Sequence, residues 1–177
     1  MKKKGFTLVE LLAVIAILAI LVIIALPNVM GMFRTAKMNS FKTEIKDIYK
    51  AAEQQWMLDS METTGEMTYG RVAKAPCGNG NKGQGLDLSG RTELDYMITI
   101  NKGGKIIHFA ATDGTYQYYF DGDASDYLTV DTLADSDAAD TEGTSENVVY
   151  MISDITNDDG VLAIEVSDGA CSSKFGD

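Results

Sequence analysis

The chain has 177 residues, 26 acidic against 15 basic side chains, a net charge of −11, one histidine and two cysteines. That length supports one modest core beyond any membrane segment. The acidity argues against long-range attraction to nucleic acid or anionic lipid, and a lone histidine rules out a histidine-based metal cluster.

The N-terminus joins three unlike features. Lys2, Lys3 and Lys4 form a basic cluster, Phe6 to Leu26 is an apolar run, and Glu10 is the one charge inside it. As a helix the run spans about 32 Å at about 1.5 Å per residue, enough to cross a bilayer core. Backbone groups in lipid must pair within the segment, so helix is the expected form. The lysines bias the N-terminus to the cytoplasmic side. Glu10 costs about 2.5–3.5 kcal/mol on insertion scales, and a carboxylate at that depth marks a function and calls for a partner. The run holds no cation to supply one. A cut between Gly5 and Phe6 would free an α-amino group at the membrane and remove three lysines, moving the net charge from −11 to −14. The amine of one subunit could then meet Glu10 of another. An ordinary signal anchor does not account for the buried charge. A secretory signal cleaved after the run lacks a small-x-small site, because Ile23 stands two residues before Ala25.

Lys4-Gly5-Phe6-Thr7-Leu8-Val9-Glu10 followed by an apolar helix resembles the class III leader of type IV pilins and the pseudopilins of type II secretion. The resemblance covers roughly the first 30 residues. It implies cleavage after Gly5 by a membrane prepilin peptidase, methylation of the new Phe6 amine by the same enzyme, and a role for Glu10 in guiding subunit addition. Pro27 falls where the family commonly has a helix-weakening proline.

Beyond the run, Pro27 is expected to kink or loosen the helix, and Gly31 adds backbone freedom one turn later. Phe41, Ile45, Ile48 and Ala52 then recur at a period near 3.6, with Trp56 close behind, which predicts an amphipathic continuation fraying near Ser60 to Gly65. Trp56 reads as core. Residues 66–92 are rich in glycine and read as a connecting loop, with room for a short element around Tyr69 to Ala73. The glycines do not form a phosphate cradle, since no Gly-Lys-Ser/Thr follows. A meander comes next: strands at 96–100, 105–110 and 115–120, with Asp113-Gly114 as a hairpin signal. His108, with no identifiable partner, reads as a structural residue.

Residues 121–146 form an acidic loop of small residues. Asp121, Asp123 and Asp126 match an oxygen-ligand calcium loop in composition, but the glycine and closing carboxylate of an EF-hand are misplaced, and a solvated loop is the preferred reading. Some pseudopilins carry a structural calcium near their C-terminal loops. Val148 to Ile152 and Val161 to Val166 read as two further strands closing the sheet, and Cys171 as part of a polar tail. Cys77 and Cys171 would face an oxidising exterior. A disulfide between them would close a loop of about 94 residues, stabilising by about 4–5 kcal/mol in the chain-entropy model. Two unrelated thiols are the alternative.

The sequence therefore predicts an α+β, pilin-like chain: leader 1–5, membrane and filament-core helix 6–26, amphipathic continuation 27–62, and a head over 63–177 built on an antiparallel sheet. No GxSxG, paired metal ligands or nucleotide loop is present, so neither an enzyme nor a cofactor is expected. The expected role is a structural subunit of a type IV pilus or of a type II secretion or competence-like pseudopilus. Its expected partners are the prepilin peptidase, other pilin subunits and a membrane assembly platform. It would sit in the cytoplasmic membrane before assembly and in a surface pilus or envelope pseudopilus after it. The alternative is a signal-anchored extracytoplasmic domain that binds a ligand through its loops.

Overall fold

A computed structural model describes residues 5–78, 85–88, 94–122, 133–135, 148–156 and 160–175. The chain divides into two compact units, Met1–Asn39 and Ser40–Asp177. One helix, α1 (Leu8–Asp59), contributes to both.

From Leu8 to Leu26 α1 is apolar on every side apart from Glu10, which is the composition of a helix meant for lipid or for other helices. It is the one helix among the described residues long and apolar enough to cross a membrane. Its large side chains are exposed within the single chain, from Leu8 at 75% to Leu26 at 55%. The helix continues through Pro27, whose missing N–H leaves the Ile23 carbonyl without its helical donor. One turn on, the Thr35 hydroxyl donates to the Gly31 carbonyl at 3.2 Å.

In the second unit the last turns of α1 bury Phe41, Ile45, Ile48, Ala52 and Asp59. The first four are the predicted stripe. Among the described residues nine strands follow: β1 (Met67–Val72), β2 (Ala75–Cys77), β3 (Asp95–Ile100), β4 (Ile106–Thr112), β5 (Tyr116–Asp121), β6 (Ala134–Asp135), β7 (Val148–Met151), β8 (Leu162–Ser167) and β9 (Ala170–Phe175). The first seven make one sheet in the order β2-β1-β3-β4-β5-β7-β6, antiparallel except for the two-residue β6, which runs parallel to β7. β8 and β9 form a separate hairpin.

The register sorts the sheet into two faces, because side chains alternate along a strand. One carries the cross-strand rows Tyr69–Ile98–Phe109–Phe120 and Tyr96–Ala111–Tyr118. Here α1 packs: the Phe41 and Tyr116 rings lie 5.8 Å apart, and the Tyr69 hydroxyl donates to Asp59 Oδ2 at 2.9 Å. The other face carries Met97–Ala110–Tyr119 and Thr99–His108–Asp121. Onto it the hairpin lays Leu162 and Ile164, joining Met97 and Ala110, with Val72, Tyr119, Cys171 and Phe175 at the margin. The head is thus helix, sheet and hairpin in three layers.

Four expectations need correction. Residues 66–92 are not only a connecting loop, since β1 and β2 lie within them. Their hairpin turn is Ala73-Lys74, both at positive φ, and without glycine or asparagine the turn leaves no sequence signal. The segment 161–166 does not close the main sheet but pairs with β9 in the third layer. The tail around Cys171 is a strand. Its turn, Asp168-Gly169 at φ 52° and 82°, is a two-residue hairpin signal, masked by the polar character of the following residues. Within 121–146, Asp121 ends β5 and Ala134–Asp135 is a strand; most of the remainder lies outside the described residues.

Candidate functional site

The segment with the densest functional signal is the start of α1. Gly5 and Phe6 precede the helix; nothing lies within 4 Å of where a Gly5 Cβ would stand, and Phe6 is 86% exposed. Both residues thus stand exposed ahead of the helix. Lys2, Lys3 and Lys4 lie outside the described residues. Thr7 caps the helix. Its amide and its hydroxyl each donate to Glu10 Oε2 at 2.8 Å, and the Glu10 amide donates to Thr7 Oγ1 at 3.3 Å. This is a capping box, in which two otherwise orphaned donors at a helix start are satisfied reciprocally. Its signal in the sequence is Thr-x-x-Glu at 7–10. These donors are neutral, so the cap holds the Glu10 carboxylate in place without compensating its charge.

The other candidate residues lie in the head. Cys77, at the end of β2, and Cys171, on β9, form a disulfide with their Cα atoms 5.4 Å apart. It rests on Gly70: a Cβ there would collide with Cys171 Sγ and come within 2.9 Å of Cys77 Sγ and 2.8 Å of the Tyr96 carbonyl. Alongside it, the Gly78 amide donates to the Gly169 carbonyl at 2.9 Å, so the hairpin turn is fastened to the end of β2 by two links.

Of the calcium candidates, Asp123 and Asp126 lie outside the described residues. Asp121 faces the hairpin side of the sheet and makes two protein contacts, with His108 Nδ1 at 3.2 Å and with the Tyr119 hydroxyl, which donates at 3.1 Å. No group of three His, Cys, Asp or Glu side chains suited to a metal occurs among the described residues. From the sequence His108 reads as a structural strand residue with no identified partner. In the structure it has two, since Ser173 Oγ lies 2.7 Å from its Nε2. The cross-strand partner was hidden by register, and the third-layer partner by the unrecognised strand β9.

Comparison with known proteins places these residues. A family model described as the prokaryotic N-terminal methylation motif matches residues 1–26. No curated protein and no solved structure matches the chain. Residues 1–26 thus carry the prokaryotic N-terminal methylation motif, the class III signal peptide of type IV pilins and pseudopilins, ahead of an α+β pilin-like head.

Proposed function

We propose that the chain is a prepilin, cleaved after Gly5, N-methylated at Phe6 and polymerised through its N-terminal helix into a type IV pilus or a type II secretion or competence-like pseudopilus. The observation that carries this is Glu10, a carboxylate in the first turn of the helix and the one charge in the apolar run from Phe6 to Leu26, which follows Gly5 within the matched motif. Before assembly the helix holds the subunit in the cytoplasmic membrane, N-terminus inside. On assembly it leaves lipid and is buried against the helices of neighbouring subunits. One apolar environment replaces another, so extraction need not expose the stem to water. The free Phe6 amine of one subunit pairs with Glu10 of the next. That pair favours one axial register, because a charge taken out of water is supportable mainly when paired. The partners are a prepilin peptidase with methyltransferase activity, further pilin subunits and a membrane assembly platform.

The test is the N-terminal mass of the protein recovered from its native cells. A chain beginning at methylated Phe6 is expected. A chain beginning at Met1, in cells with an active prepilin peptidase, would overturn the proposal and leave a plain signal-anchored domain.

A further inference from the structure

The histidine of the head stands in an arrangement separate in the chain from the N-terminal motif on which the proposed assembly rests. His108 on β4 and Asp121 on β5 are cross-strand neighbours, and β9 brings Ser173 over them from the third layer. His108 Nδ1 lies 3.2 Å from Asp121 Oδ1, and Nε2 lies 2.7 Å from Ser173 Oγ. An ionised Asp121 only accepts hydrogen bonds, so it selects the tautomer with the proton on Nδ1. Nε2 then presents a lone pair to the Ser173 hydroxyl. That is the polarity a base-activated serine requires: nucleophile to base, base to orienting carboxylate.

The imidazole is held from further sides. The Tyr119 hydroxyl donates to Asp121 Oδ2 at 3.1 Å, and the Tyr119 ring meets the imidazole edge-on at 5.4 Å between centroids. Phe175 braces Tyr119 in turn, edge-on at 4.6 Å. The His108 side chain is 15% exposed and Ser173 is partly buried, so the base is shielded from bulk solvent more than the carboxylate is.

We propose that Ser173, His108 and Asp121 form a nucleophilic serine site that hydrolyses short acyl esters. Ser173 Oγ bonds to the ester carbonyl carbon as its proton passes to His108 Nε2. The ester C–O bond breaks, and the leaving alkoxide takes that proton and departs as the alcohol. Water then attacks the acyl-serine, giving a proton to Nε2. The bond from Oγ to the acyl carbon breaks, the proton returns to Oγ, and the carboxylic acid is released. The position of Oγ in the seam between two layers favours a short acyl group. The acidic chain, at −11, favours neutral or cationic esters over anionic ones. Asp121 is 61% exposed, so its part is to orient the ring more than to stabilise charge through a dry interior.

The experiment uses the full chain in non-ionic detergent, with an alkyl fluorophosphonate probe and p-nitrophenyl acetate, and peptide mapping of the labelled residue. Labelling at Ser173 is expected, with none at the neighbouring exposed Ser172. Ser173→Ala should abolish it. His108→Gln should slow it about 100-fold or more, the low end of what a general base contributes. Asp121→Asn should slow it less than His108→Gln. Should Ser173→Ala fail to fold, Ser173→Cys keeps the shape and should move labelling to iodoacetamide, still at a rate dependent on His108. No labelling of the folded chain, labelling elsewhere, or labelling at Ser173 that His108→Gln leaves unslowed would each overturn the proposal. The hydrogen bonds would then serve only to fasten the hairpin.

Discussion

Thr7 and Glu10 close a reciprocal cap at the start of the stem helix, with two 2.8 Å bonds into Glu10 Oε2 and one 3.3 Å bond back to Thr7 Oγ1. Glu10 therefore has a structural role as well as its proposed pairing with a neighbour's amine, and the two can be separated. Thr7→Ala removes the two bonds of the cap that use the hydroxyl, at about 1 kcal/mol of helix stability, and leaves the amide bond and the charge. Glu10→Ala removes both. Filament yield, measured as sheared against membrane-retained subunit, should fall modestly in Thr7→Ala and nearly to zero in Glu10→Ala. Equal losses would mean that the carboxylate matters as a cap alone.

The disulfide and Gly70 form one packing unit. Replacing Cys77 and Cys171 by serine should lower stability by up to about 4–5 kcal/mol in the chain-entropy model, read as a fall in the urea midpoint. Gly70→Ala should act on the same unit from beneath, because its methyl would collide with Cys171 Sγ. A loss of about 1–3 kcal/mol is expected, together with a fraction of chains that retain free thiols.

The head should weaken in strong alkali. Burial pushes the Tyr69 hydroxyl's pKa up, and its hydrogen bond to Asp59 and the charge of that carboxylate push it further. Burial also raises Tyr96, against opposing pulls from the Leu86 amide and the Arg71 charge. Each group has a folded pKa above its unfolded value of about 10, so each favours the folded state only while protonated. That contribution is whole below about pH 10 and is lost as pH rises towards the folded values. Thermal melts should be level in this respect from pH 8 to about 10 and then drop. Tyr69→Phe should flatten the drop while leaving Asp59 its 2.9 Å bond from Gln55 Nε2.

Gly104 and Gly114 give a matched pair of substitutions. Both have positive φ, 81° and 78°, so alanine strains the backbone at either. Only at Gly104 would the new Cβ also meet a neighbour, Trp56 Cη2 and Cζ3 at 2.9 Å, whereas Gly114 has nothing within 4 Å. Gly104→Ala should cost about 1–3 kcal/mol more than Gly114→Ala. It should also shift the fluorescence of Trp56, the only tryptophan.

What the sequence by itself determined is what depends on neighbours along the chain. The N-terminal methylation motif over residues 1–26 is a matter of charge and spacing along the chain. The buried stripe Phe41, Ile45, Ile48 and Ala52 follows from a 3.6-residue period, and the meander from alternation around Asp113-Gly114. Tertiary structure decided what depends on distant partners. β1 sits in the sheet although Gly70 weakens its pattern, because pairing with β3 and the disulfide over that glycine hold it there. The polar β9 is a strand because β8 pairs with it and Cys171 ties it to β2. The grouping of His108, Asp121 and Ser173 joins residues 13 and 65 positions apart, one through register and the other through layer packing. Local periodicity carries no record of such a meeting. It follows only once the chain has committed its apolar faces to one another.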